Sequence, residues 1–266
     1  MGFYTNKLAF VTGASEGIGK EITKELVRAG AHVLMYSRSH AKLVVALQEV
    51  ETLRVHDTQT VLTQSLDVVD AHRVATIFTA HVQEYGAPDV VVNCAGFARP
   101  GYLHELDLTH YHAMMDLNYF SIVNVCKALV PAMLAAQRGY IVNTSSMAGF
   151  IGLFGYTGYC ASKYAVVGFS EALRRDLEPY NITVSVLCPP NTRTPGLLEE
   201  NKYKPPEVLA IEEKVKPVEP DYVARQLLKA LPKKPFMTVP TFDGAMAYRL
   251  SRYVPALLHH FVKRRP

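Results

Sequence analysis

Short apolar runs alternate with longer amphipathic stretches along most of the chain. Leu8 to Val11, His32 to Tyr36, Val61 to Ser65, Asp89 to Val92, Gly139 to Thr144, Ile182 to Leu187 and Phe236 to Val239 have the length of buried strands, and several are rich in branched residues. Between them the spacing predicts helices. These run to about Ala29, from about His40 to Val55, from Asp70 to Tyr85, from Asp107 to Ala136, around Tyr159 through about Leu177, and from Pro220 to Ala230. Such alternation implies an α/β fold: a Rossmann-like, doubly wound parallel sheet of about seven strands flanked by helices. No repeat or linker divides the chain, so one domain is expected over residues 1–266. From Pro195 to Pro217 the pattern dissolves into Glu, Lys and Pro with a few apolar residues. Placed after a strand whose end should face a ligand, the stretch at about 192–218 reads as a mobile substrate lid, or else as a solvated loop.

The chemistry-bearing residues fall where these strands end, the edge at which open α/β sheets bind ligands. Leu8 to Val11 runs into Thr12-Gly13-Ala14-Ser15-Glu16-Gly17-Ile18-Gly19 and then a helix. Glycines admit a close backbone approach, and a helix N-terminus offers free N–H groups and positive potential, so this turn is a candidate pyrophosphate cradle. Its spacing is G-x-x-x-G-x-G, and a plain βα turn is the alternative. The second strand ends at Ser37-Arg38, without the acidic residue that would hold a ribose 2′-hydroxyl. A guanidinium there can bond a 2′-phosphate, which favours NADPH; the alternative is a solvated arginine. Asp67, followed by Val68, can accept from an adenine amino group or can cap the next helix. Asn93-Cys94-Ala95-Gly96 allows close cofactor approach or forms a tight turn. Asn118, inside a long helical pattern, is either a satisfied surface amide or the site of a kink that exposes a carbonyl and water.

Tyr159 and Lys163 stand four residues apart, so on a helix a phenol and an ammonium share one face. A nearby cation favours phenolate and lowers a pKa that is ordinarily near ~10, making the phenol a usable general acid. Ser146 adds a hydroxyl at the end of the strand that precedes this helix. Taken alone, the Tyr/Lys pair recurs by chance on ordinary surface helices. Its weight comes from the strand ends that surround it.

Composition narrows the classes. The chain is 49% hydrophobic and 20% charged, fitting a soluble globular protein with a sizeable core. A net charge of +4, without a basic stripe interleaved with aromatics outside the last twenty-odd residues, argues against nucleic acid. Cys94, Cys126, Cys160 and Cys188 lack metal-ligand spacing, so no metal is expected and reduced core thiols are. The first strand starts too early for a signal peptide, and Asn6 stands where a myristoylation signal needs Ser or Thr. No apolar run is long enough to be read as a membrane span.

Together these pieces resemble the short-chain dehydrogenases/reductases from about Lys7 to Val239. The glycine turn, Asn93 to Gly96, Asn118, Ser146, Tyr159 and Lys163 fall in that family's order, with Ser146 thirteen residues before Tyr159. Three positions depart from the pattern. Cys94 replaces a commoner Asn, Pro190 replaces a Gly, and Glu16 stands where many NADPH enzymes carry a basic residue. A narrower resemblance is to the 3-ketodihydrosphingosine reductases, which reduce a long-chain 3-keto amine with NADPH in sphingolipid synthesis. It lies in Gly152 to Tyr159, in Pro189-Pro190-Asn191-Thr192-Arg193-Thr194-Pro195-Gly196, and in Glu199-Glu200-Asn201-Lys202 with Lys204-Pro205.

The resemblance implies roles. Tyr159 would donate the proton and Ser146 would hold the substrate carbonyl. Lys163 would lower the Tyr159 pKa and bind the nicotinamide ribose, and Asn118 would anchor a water linking Lys163 to solvent. The cofactor would lie along Gly13, Ser15, Glu16, Gly17, Ile18, Gly19, Ser37, Arg38, Asp67, Val68, Asn93, Ala95, Gly96, Tyr159, Lys163, Pro189, Thr192 and Thr194, with Thr194 and the backbone near Thr192 on the carboxamide. A homo-oligomer, dimer or tetramer, is implied as well. The alternatives are a reductase of another lipophilic ketone (steroid, retinoid or fatty-chain carbonyl) and a non-catalytic dinucleotide- or lipid-binding scaffold.

The segment at about 244–266 mixes Met246, Tyr248, Leu250, Tyr253, Val254, Leu257, Leu258 and Phe261 with Arg249, Arg252, Lys263, Arg264 and Arg265. A basic amphipathic segment of this kind can lie in a membrane interface, kinked at Pro255, or can pack on the body or on a partner subunit. The expected location is the cytoplasm, with peripheral attachment to a membrane if the segment inserts; in a eukaryote this would be the cytosolic face of the endoplasmic reticulum.

Overall fold

The computed structural model describes residues 2–213 and 215–256. Seven parallel strands are present: β1 (Leu8–Thr12), β2 (His32–Ser37), β3 (Val61–Ser65), β4 (Val90–Asn93), β5 (Gly139–Thr144), β6 (Ile182–Leu187) and β7 (Met237–Thr238). Their order across the sheet is β3-β2-β1-β4-β5-β6-β7. The order reverses between β1 and β4, and there the loops after both strands open a crevice. In-register pairs run Thr12↔Tyr36 on one side of β1 and Thr12↔Asn93 on the other, so these strands end at one level.

Side chains alternate between the two faces, and both faces are covered. Ala9, Val11, Val33, Met35, Val90 and Val92 pack under α1 (Gly17–Arg28), α2 (His40–Glu51) and α9 (Pro220–Ala230). Phe10, Leu34, Tyr36, Val91 and Ile141 pack on the other side, under α3 (Ala71–Tyr85), α5 (Ser121–Ala136) and α6 (Thr157–Leu177). The helix starts follow from local chemistry. Ser39 caps α2 by accepting from Lys42 N, and Asp70 caps α3 by accepting from Arg73 N. Asp67 therefore caps no helix; its Oδ1 accepts from Val69 N in a tight turn.

Several elements differ from expectation. The second helix stops at Glu51 rather than Val55. The long helical run divides into α4 (Leu108–Met115), a π-helical turn Asp116–Phe120 that holds Asn118, and α5. The whole run Leu108–Ala136 is long and apolar enough, by length and composition, to cross a membrane, contrary to the expectation that no run would qualify. Ile122, Val125, Cys126, Leu129 and Met133 are buried against the sheet, which accounts for part of that apolarity.

The stretch read as dissolved forms α7 (Pro195–Asn201) and α8 (Pro206–Glu212). Thr194 caps α7 by accepting from Leu197 N, and Pro195 and Pro206 occupy first-turn positions, where a missing N–H does no harm. The excursion leaves and returns at one point. Thr192 pairs with Val218, Arg193 N donates to Val218 O (2.8 Å), and Val218 N donates to Asn191 O (2.9 Å).

After β7 the chain forms α10 (Phe242–Tyr253), which ends just before Val254-Pro255, as expected of a residue preceding proline. Leu257, Leu258, Phe261, Lys263, Arg264 and Arg265, on which much of the basic amphipathic reading rests, lie outside the described residues.

Candidate active site

The glycine turn and the loop after β4 meet at the crevice. Gly13 has φ +68°, and a Cβ there would stand 2.8 Å from Ala95 N, so glycine is the residue that lets the two loops touch. A Cβ on Gly17 would meet Thr194 at 3.2 Å, which places Thr194 over the start of α1. Glu16 is the N-cap of α1 yet caps it with no side-chain bond, leaving the first-turn amides of Gly17, Ile18 and Gly19 for an anion. Ser15 Oγ and Ser37 Oγ are 2.8 Å apart at the ends of β1 and β2, with exposed Arg38 next in line. Asp67 and buried Val68 follow β3 along the same edge. A cradle of free amides with hydroxyls and a guanidinium at one end fits a dinucleotide.

Glu16 is not a free negative charge at this mouth. Its carboxylate pairs with Lys42 Nζ at 2.7 Å, both partly exposed. Lys42, from the first turn of α2, had no motif to mark it. The partnership is visible only once α1 and α2 lie side by side.

A second assembly fastens β4, β5 and α6 together. Asn93 Nδ2 donates to Asn143 Oδ1 (2.9 Å), and Asn143 Nδ2 donates to Ser170 Oγ (2.9 Å), all buried. Asn118 is fully buried rather than a surface amide. Its Oδ1 accepts from Phe97 N, and its Nδ2 donates to Phe97 O and to Ser162 Oγ, each at 2.9 Å. The helix is interrupted there by the π-helical turn, and the Asn118 amide is spent on holding the loop after β4 against α6. Gly96 lies between: a Cβ there would stand 2.9 Å from Asn118 Oδ1 and 3.3 Å from Lys163 Nζ. Pro189, Thr192 and Thr194, after β6, complete the rim; Met147 N donates to Pro189 O, so this loop touches the turn after Ser146.

Lys163 is 4% exposed, and its Nζ donates to Thr144 O at 3.0 Å. Ser145 Oγ donates to Lys163 O at 2.8 Å, so the end of β5 grips both ends of this residue. Ser146 caps the next turn, its Oγ accepting from Ala148 N at 3.1 Å, which leaves its proton to donate elsewhere. Tyr159, one turn before Lys163, lies with its ring centroid 5.6 Å from Lys163 Nζ. Ser146, Tyr159 and Lys163 thus converge at the ends of β5 and α6.

The electrostatics differ from the expected lowering of the phenol pKa. Burial pushes the Tyr159 phenol up, and the Glu200 carboxylate adds to this, while a hydrogen bond from Ser146 pulls the other way. Burial pulls Lys163 down to about 8, against the influence of Cys94 and Cys188. The phenol accordingly holds its proton across neutral pH, as a donor must. Burial pushes the Cys126 and Cys188 thiols up to about 12, and all four cysteines are free.

Sequence reasoning missed the group that joins the 192–218 excursion to this site. Tyr156 OH donates to Glu200 Oε1 (2.6 Å) and lies 3.0 Å from Glu212 Oε1; its ring centroid is 6.0 Å from that of Tyr159. Lys204, with no side-chain exposure, pairs with both carboxylates, at 3.2 Å to Glu200. Arg99 stacks on Tyr203 (3.3 Å to the ring centroid), and Tyr102 OH donates to Glu207 Oε2 (2.7 Å). The available signal was the Glu200/Lys204 spacing of four, which marks a helix face but not its burial.

Fold and site define an oxidoreductase acting on a carbonyl or alcohol group, with a serine, a tyrosine and a lysine at its centre. The chain belongs to the short-chain dehydrogenase family, whose profile matches residues 7–204. It is 40% identical over 242 residues to 3-dehydrosphinganine reductase of Danio rerio, covering 91% of this chain and 73% of that one. It is 38% identical, with the same coverage, to 3-ketodihydrosphingosine reductase of Mus musculus. Among solved structures it resembles a short chain dehydrogenase/reductase from Burkholderia phymatum in complex with NAD. That likeness has a TM-score of 0.83 at 22% identity, covering 97% of this chain and 96% of that one.

A lysine with its pKa at about 8 is charged below that pH and neutral above it. The rate of ketone reduction, measured with a substrate that has no ionisable group, is expected to hold steady from pH 6 to 7.5 and to fall above about 8. The phenol stays protonated throughout this range. A profile flat to pH 10 would remove the charged Lys163 from the mechanism.

Proposed function

We propose that this protein reduces the 3-keto group of 3-ketodihydrosphingosine to the alcohol of dihydrosphingosine, with NADPH as reductant. The convergence of Ser146, Tyr159 and Lys163 at the strand ends carries the chemistry. The likeness to the vertebrate reductases supports the substrate. Ser146 donates to the substrate carbonyl. Tyr159 hands its proton to the oxygen as that oxygen gains charge. The buried Lys163 ammonium, oriented by Thr144 O, stabilises the phenolate left behind. Asn118 holds the Phe97 backbone, and with it the loop that borders the nicotinamide side of the cradle. The bound nicotinamide supplies the hydride. The 192–218 excursion, joined at its base, serves as the lid over the substrate.

NADPH rather than NADH is supported by exposed Arg38 beyond the Ser15/Ser37 pair, and by the neutralisation of Glu16 by Lys42. Membrane contact is supported by α10, where Phe242 and Tyr253 are each 80% exposed on the helix that also carries Arg249 and Arg252.

Three outcomes test this reading. Purified protein given 3-ketodihydrosphingosine and NADPH should yield dihydrosphingosine by mass spectrometry, and Tyr159→Phe should slow that by about 10²- to 10⁴-fold while NADPH still binds. Turnover of a steroid, retinoid or fatty-chain ketone instead would replace the substrate. Arg38→Asp should raise the KM for NADPH roughly tenfold to a hundredfold and improve use of NADH; an unmoved ratio would place 2′-phosphate recognition elsewhere. The protein should sediment with anionic liposomes at low ionic strength and be released at about 1 M salt, where the screening length is roughly 3 Å. Failure to sediment would leave α10 as a packing element.

A further inference from the structure

The lid carries a charge arrangement that proton and hydride transfer do not need. Glu200 on α7 and Glu212 on α8 face one ammonium, that of Lys204, whose side chain has no exposure at all. One hydroxyl proton, from Tyr156, lies within reach of both carboxylates, and it can be donated to only one of them at a time. Two carboxylates against one cation leave a surplus of one negative charge among the described side chains. That surplus is partly desolvated, since burial raises the Glu200 pKa against the pull of Tyr156 and Lys204. A negative charge kept in such a place is costly unless a cation answers it.

The position of the surplus is specific. Glu200 is one tyrosine ring away from the proton donor, since Tyr156 bonds it and the Tyr156 and Tyr159 ring centroids are 6.0 Å apart. The charge of Glu200 also bears on the Tyr159 phenol itself. In a 2-amino-3-ketone the nitrogen is two bonds from the carbonyl carbon. A substrate whose carbonyl oxygen lies between Ser146 and Tyr159 therefore carries its amino group within a few bonds of that pair, on which the charge of Glu200 already bears.

We propose that Glu200, backed by Glu212, is the specificity-determining group for the substrate's amino nitrogen. Its carboxylate takes the ammonium when the lid is seated, while Lys204 and Tyr156 hold the pair of carboxylates in place. The inference rests on the substrate reading above and deepens it. Glu200 performs no bond-making step. It selects ketones that carry an adjacent cation over apolar ketones of the same length.

The test compares 3-ketodihydrosphingosine with the 1-hydroxy-3-ketone of the same chain length that lacks the amino group. Wild-type protein is expected to prefer the amino ketone in kcat/KM by roughly 30-fold or more, the scale of a lost charge partner in a desolvated site. In Glu200→Gln that preference should fall to near parity, mainly through KM, whereas Glu200→Asp, which keeps the charge, should retain a preference. A merely structural role would lower both substrates together and leave the ratio unchanged, and that result overturns the proposal. If Glu200→Gln does not fold, the wild-type comparison decides: a clear preference supports the proposal, and parity overturns it. Parity with good turnover of the amino ketone leaves the substrate reading standing. No turnover of the amino ketone removes that reading and this inference with it.

Discussion

The burial of one ammonium organises this protein. Lys163 is nearly sealed from solvent at the point where β5 ends and α6 begins, and it gives up hydration that only a few polar atoms replace. Thr144 O accepts from its Nζ, and Ser145 Oγ donates to its carbonyl. The helix that carries Tyr159 is thereby positioned against the strand that leads to Ser146. The incomplete replacement of water is visible in the ammonium itself, whose pKa is drawn down to about 8. A lysine on a solvated helix would show neither the shift nor the geometry.

The π-helical turn at Asp116–Phe120 serves the same end. An extra residue in the turn points Asn118 inward, and its amide then joins the Phe97 backbone to Ser162. Gly96 leaves the space in which Asn118 and Lys163 approach the loop. Backbone irregularity, a missing side chain and a buried amide are three aspects of one packing solution, which brings the loop after β4 to the crevice.

The electrostatic balance of the site comes from α7 as much as from the helix that carries Tyr159. Tyr159 and Lys163 alone point to a phenol made more acidic. Burial and Glu200 reverse that sign and keep the phenol protonated. Likewise Glu16 looks adverse to a phosphate until Lys42 stands beside it. In both cases charges far apart along the chain, 41 residues from Tyr159 to Glu200 and 26 from Glu16 to Lys42, are neighbours in space.

The alternation of apolar strands with amphipathic helices determined the parallel sheet from the sequence alone, because each period reflects which side of an element is buried. The glycine turn, Arg38, Ser146, Tyr159 and Lys163 were legible for a related reason: in this topology their place at a strand end or on one helix face follows from local spacing. The helices α7 and α8 were not legible because each is seven residues long, too short to show a period, although Thr194-Pro195 was a usable start signal. Only the tertiary structure decided the burial of Lys163, the inward turn of Asn118 and the assembly of Tyr156, Glu200, Lys204 and Glu212. Solvation and through-space charge depend on what lies within a few ångströms, and the order of residues along the chain does not specify that distance.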